Sequence, residues 1–204
     1  LGDAGQVVVI AHDSKSLTSQ ERVNNFIAEI QNNHPNMSVA GPYYMDQIDD
    51  IKKTIAEQQL DIVPVEGQEL DEEQQTALND AIAQITDEDI YNYILEMNPD
   101  VKGIFATNGD TTMQALTACE GKDMKDVVIM GYDADQEEID AMKDGRIAGM
   151  IIQNPYGMGY ATVVAEARCV LNMGNEANVN TGYTWVTPDN IDDESVQNIL
   201  YAKK

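Results

Sequence analysis

A chain of 204 residues is long enough to bury a substantial core in one or two domains. Its 12 Lys and Arg stand against 36 Asp and Glu, a formal charge of −24, and a surface so acidic repels phosphate backbones and anionic lipid alike. Nucleic acid and membrane surfaces are therefore poor partners for this chain, and no run of about 18 apolar residues marks a bilayer span.

"GQVVVIAHD" carries at Val7–Ala11 a continuously apolar, β-branched run ended by polar residues, the pattern of a strand buried on both faces. A helix follows, with Thr18 and Glu21 spaced as a capping box and Val23, Phe26, Ile27 and Ile30 on one face. "HPNMSVAGPYY" turns through Pro35 into a second strand ending near Tyr44. Over 47–85 the signal weakens into Gln, Asp and Glu around one apolar island, "LDIVPV", and reads as helical excursions about that island. Within it "VEGQELDEEQQ" reads as a solvated acidic surface. Thr86 with Asp89 opens the helix "DEDIYNYILEM", which Asn98-Pro99 stops.

Beyond Pro99 the alternation is regular: strand "VKGIFAT", helix "TTMQALTAC", strand "DVVIMGYD", helix "QEEIDAMKDG", strand "IAGMIIQ", helix "YGMGYATVVAEARCVLNMG". Apolar strands separated by helix-length segments predict βαβ units, so the expected fold is α/β, a doubly wound parallel sheet flanked by helices. Cys119 and Cys169 each fall in an apolar helical pattern far from the other, and are expected to be buried free thiols. No metal-type cluster or cofactor loop is present: Gly121-Lys122 precedes its strand, whereas a phosphate loop follows one. The chain opens on Leu1-Gly2-Asp3, which reads as a cut end, with targeting information expected upstream.

In doubly wound sheets the ligand crevice lies beyond the carboxyl ends of the strands. Asn108, Asp133 and Gln153 stand at three such ends, and Arg22 lies in the first turns of the helix after the first strand. Each also has a purely structural reading: Asn108-Gly109 is a common turn pair, Asp133 suits a helix cap, and Gln153 precedes a proline turn. Together they match sugar hydroxyls, which want a carboxylate acceptor, a forked guanidinium donor and amides that do both. Tyr43 and Tyr44 offer ring faces for the C–H side of a pyranose, or are ordinary half-exposed aromatics at a strand end.

"GQVVVIAHDSKSLTSQERVNNF", "NPDVKGIFATNGDTTMQAL", "VVIMGYDADQEEIDAMKDGRIAGMIIQNPYGMGY" and "TGYTWVTPDNIDD" resemble the second lobe of type I periplasmic sugar-binding proteins of the ribose- and galactose-binding kind, the extracytoplasmic receptors of ABC importers. The resemblance implies that Arg22, Asn108, Asp133 and Gln153 bind a monosaccharide, with Tyr43 and Tyr44 a looser match to the family's aromatic. It implies residues 1–155 as the second ligand-binding lobe with an insertion at 47–85, residues 156–182 as a segment that packs on a first lobe lying upstream, and residues 183–204 as a tail returning to the second lobe. It further implies an ABC permease as partner, an extracellular or periplasmic place and a lipid anchor. An apolar stripe over 156–171, without its usual partner, is expected to fold back or to meet a second copy in a homodimer.

The same two-lobe fold resembles the effector domains of lactose-repressor-type regulators and the inputs of signalling receptors, which keeps a ligand-sensing role as the alternative. Catalysis is not expected: no carboxylate pair is singled out for glycoside hydrolysis, no serine or cysteine lies in an elbow motif, and His12 and His34 have no marked nucleophile.

Overall fold

The structure, a computed structural model, describes residues 1–65 and 70–200. Its centre is a six-stranded sheet of order β2-β1-β3-β4-β5-β6. β1 (Gly5–Ala11), β2 (Met37–Tyr44), β3 (Val101–Ala106), β4 (Val128–Tyr132) and β5 (Gly149–Gln153) run parallel. The helices α1 (Leu17–Asn33), α2 (Asp49–Gln59), α3 (Glu72–Gln84), α4 (Asp87–Met97), α5 (Gly109–Gly121), α6 (Gln136–Lys143), α7 (Pro155–Val170) and α8 (Glu194–Gln197) make or accompany the crossovers. This is the doubly wound α/β fold expected.

β1 shows why its sequence is apolar at every position from Val7 to Ala11. Successive side chains leave a strand on opposite faces. Val8 and Ile10 enter a large core with Ile90, Ile94, Ile104, Ile129 and Met150, while Val7, Val9 and Ala11 enter a second core with Val23 of α1 and Phe105. Phe26 stacks on Phe105 at 4.2 Å between ring centroids and closes that second layer.

Two local expectations are corrected. α1 is not capped by Thr18 and Glu21. It begins two residues earlier on Ser16, whose hydroxyl accepts from the Ser19 N–H at 3.2 Å. The reason is Asp13, whose carboxylate accepts from the N–H groups of Lys15 and Ser16 and from the Ser16 hydroxyl, presetting the turn ahead of the helix. Cys119 is buried, which pushes its thiol up to about 11, but Cys169 is exposed on α7. "TGYTWV" supplies a strand, β6 (Tyr183–Val186), that pairs antiparallel with β5 through Gln153↔Tyr183 and Met150↔Val186. The 47–85 region forms helices as read, α2 and α3, and Ile55 and Ile85 join the large core while Ala56 and Leu78 are also buried. Its apolar island behaves differently, with Val63 and Val65 exposed. The acidic stretch 65–75 lies partly outside the described residues, as do the last four residues of the tail.

The Thr86–Asp89 box is present, each residue accepting from the other's backbone N–H. α7 carries no buried residue at all, and Tyr156, Tyr160, Val163, Val170 and Leu171 are exposed along it.

Candidate functional site

The carboxyl ends of β1, β3, β4 and β5 form one rim, and each delivers a short polar turn to it. After β3, Asn108 serves as N-cap of α5: its Oδ1 accepts from the Thr111 N–H at 3.1 Å and from the Thr111 hydroxyl at 2.7 Å. Its position is therefore set by helix initiation, and its side-chain nitrogen is left for other partners. After β4, Asp133 adopts φ +74°, a left-handed conformation that aspartate visits more readily than most residues. That backbone turn aims the carboxylate across to β3 and β5. Oδ2 accepts from the Gly109 N–H at 3.2 Å and Oδ1 from Gln153 Nε2 at 3.3 Å.

Asn108, Asp133 and Gln153 thus line one cleft of about 460 Å³, closed below by Gly109 and Glu138 and flanked by Pro155 and Met158. Arg22 reaches the same rim from α1 and is held twice. Nη1 donates to the Thr107 carbonyl beside Asn108, and its Cζ lies 4.1 Å over the centroid of Tyr132, the residue before Asp133. A guanidinium on an aromatic face is attracted by the ring quadrupole, so its fork is pre-aimed. Burial raises the Tyr132 hydroxyl above its ordinary value and Arg22 opposes that rise, so the ring stays neutral beneath the cation.

The two tyrosines of β2 are placed differently. The Tyr43 hydroxyl accepts from Asn98 Nδ2 at 3.0 Å and its ring packs on the large core, so it is not brought into the cleft. Tyr44 packs against the second core from β2, which β1 separates from the strands that carry the cleft's walls. A larger groove of about 810 Å³, walled by Lys53, Leu60, Val63 and Leu78, lies between α2 and α3, away from the strand ends that carry the candidate residues.

Three contributors escaped the sequence reading. Thr107 is fully buried and ties β1 to β3: its Oγ1 accepts from the His12 N–H at 3.1 Å and meets His12 Nδ1 at 2.9 Å. The other ring nitrogen, Nε2, lies 3.0 Å from Asp13 Oδ2. Both His12 nitrogens are therefore engaged in holding the rim. Tyr132 and Glu138 are the others. Tyr132 was one residue from a named candidate, and Asp135 with Glu138 carried the spacing of a capping box, which the structure forms. Nothing in the sequence showed that Glu138 would be buried.

The arrangement can present an oriented carboxylate, two amides and a guanidinium to a neutral polyhydroxylated molecule. Among the described residues no group of three or more His, Cys, Asp or Glu could hold a metal ion.

Comparison with known proteins agrees with this geometry. The model of the periplasmic binding protein domain family matches residues 1–168. The ribose import binding protein RbsB of Salmonella typhimurium is 35% identical over 66 residues, which are 32% of this chain and 22% of that protein. Its counterpart in Haemophilus influenzae is 31% identical over 86 residues, 42% of this chain and 29% of that one. Among solved structures, a carbohydrate transporter solute binding protein from Agrobacterium radiobacter in complex with D-arabinose superposes with a TM-score of 0.72 at 22% identity, covering 97% of this chain and 55% of its own. A solute binding protein of an ABC transporter from Agrobacterium vitis with bound D-fucose gives 0.71 at 23% identity, covering 97% and 56%. At such identities the likeness is one of fold, and the chain spans a little over half the length of these structures.

Proposed function

The chain belongs to the periplasmic binding protein domain family, and on that premise we propose that it forms the second lobe of a type I sugar receptor that captures a monosaccharide for an ABC importer. The observation that carries the reading is the meeting of Asn108, Asp133 and Gln153 in one cleft at the strand ends, with Asp133 pre-oriented by Gly109 and Gln153. A carboxylate so held accepts from two sugar hydroxyls. Gln153 and Asn108 supply amide groups, and Arg22 supplies charged donors that offset the desolvation of Asp133 when the cleft shuts.

Residues 1–155 and 183–204 belong to this lobe in our reading, and 156–182 pack on the other. Closure about the ligand follows because both lobes contact it only when shut, so binding shifts the population toward the closed form that a permease recognises. The place of action is extracytoplasmic. A lipid anchor is the means of retention we add. The role is binding without catalysis, and His12, the one histidine at the rim, is occupied by Thr107 and Asp13.

Calorimetric titration with D-ribose, D-arabinose and D-fucose tests the reading. We expect saturable binding of at least one, and its loss in Asp133→Ala with the circular dichroism spectrum unchanged. Absence of heat with all three at millimolar concentrations, or binding that survives Asp133→Ala, would sink it.

A further inference from the structure

Directly under the cleft lies a carboxyl group that the sugar-binding reading does not use. Glu138, at the start of α6, has 0% of its surface exposed, although carboxylates are almost never fully buried without a partner. Its Oε2 accepts one hydrogen bond, from the Asp135 N–H at 3.1 Å, and its Oε1 has no protein partner. The groups that face it are all acidic: Asp135 on its own helix cap, Asp133 from the end of β4, and Asp110 from the first turn of α5. No cation among the described residues pairs with it. It also touches the rim, since a Cβ built on Gly109 would lie 3.1 Å from Oε2 and 3.4 Å from Oε1, and the N–H of that same Gly109 holds Asp133.

Two effects compete over its charge. The N-terminus of α6 favours a carboxylate modestly, whereas burying an unpaired ion costs considerably more. Burial wins: it pushes Glu138 up to about 8, with the neighbouring acids adding to the rise against the single Asp135 N–H. The side chain is therefore a neutral acid at pH 7.

We propose that Glu138 is a positioning residue of the rim: in its protonated form it lets Gly109 and Asp133 keep the geometry that faces the ligand, and its ionisation disturbs that pair, so the affinity of the cleft falls as pH rises. The physical reason is that an ionised Glu138 places a second carboxylate beside Asp133 in a site already ringed by acids, and both then contend for the Gly109 turn. The consequence for affinity rests on the sugar-binding reading. The coupling between Glu138 and Gly109 does not.

Carbon-detected NMR of the side-chain carboxyls, with the Gly109 backbone nitrogen, followed across about pH 5 to 10 in the whole chain, separates the two. We expect the Glu138 carboxyl and the Gly109 nitrogen to move with one shared midpoint near 8. Glu138→Gln should abolish the Gly109 transition while leaving the rest of the spectrum in place. Asp133→Asn removes one facing charge and should lower the Glu138 midpoint, a readout that serves even where Glu138→Gln does not fold. A Gly109 nitrogen that stays still while Glu138 titrates, a transition that persists in Glu138→Gln, or a midpoint unmoved by Asp133→Asn overturns the inference. In parallel, the affinity for whichever of the three sugars binds should weaken between about pH 7 and 9 in the wild type and stay level in Glu138→Gln. Shared titration in a chain that binds no sugar would uphold the coupling and count against the functional reading alone.

Discussion

Asn108 shows how one side chain can serve the fold and the site at once. Its Oδ1 caps α5, which is the turn reading, while the residue also lines the cleft, where our proposal assigns its amide nitrogen to the ligand. The two roles separate by mutation. Asn108→Ala removes the cap and should lower stability by about 1 kcal/mol, whereas Asn108→Asp keeps a capping oxygen, replaces the amide donor by an acceptor beside Asp133, and should weaken sugar binding at least about tenfold with little change in melting temperature. Equal losses of stability in the two variants, read by thermal denaturation, would contradict the division. At this scale the sequence showed which residue types arrive at the rim. The pairing of Arg22 with Tyr132 and the withdrawal of Tyr43 toward Asn98 depended on strand neighbours that no local pattern encodes.

Strands and helices were legible wherever apolar periodicity was strong, and less so where geometry came from long-range pairing. β6 is the clearest case. Only four residues long and half exposed, it has too little alternation to be read alone, and it exists because β5 offers an edge. Its attachment depends on Gly149, whose missing side chain makes room for the Trp185 ring: a Cβ there would lie 2.3 Å from two ring carbons. Gly149→Ala should therefore push Trp185 outward and destabilise the chain by about 1–3 kcal/mol. Because Trp185 is the single tryptophan, its emission reports the event directly, and an unchanged emission maximum with unchanged stability would show that β6 adjusts freely. The start of α1 teaches the same lesson at smaller range. Thr18 and Glu21 have the spacing of a capping box, yet Ser16 already stands on the turn that Asp13 clamps, and the nearer cap takes the helix.

At the scale of the whole molecule, α7 is the element left without a layer. Val163 is 64% and Leu171 67% exposed, a stripe larger than scattered surface apolar residues explain. In our reading a first lobe covers it in the receptor, and a second copy covers it when the chain stands alone. With a charge of −24 on each chain, two copies repel, and salt screens that repulsion. Self-association should therefore strengthen from low to physiological ionic strength and be abolished by Val163→Glu. A monomer at every salt concentration in analytical ultracentrifugation, identical to that variant, would remove the second copy from consideration.

The amino-acid sequence by itself determined the α/β class, the succession of five strands and their intervening helices along the chain, and the polar residues at the strand ends, because these follow from local periodicity and from where apolar runs stop. Tertiary structure alone decided which of those residues meet. Asp133 turns to Gly109 and Gln153 only because β4 lies between β3 and β5, and Glu138 becomes a neutral acid only because α6 folds it under Gly109, away from water and among like charges. Sequence carries the identity of a group. Its charge and its partners are set by what the fold places within a few ångströms of it.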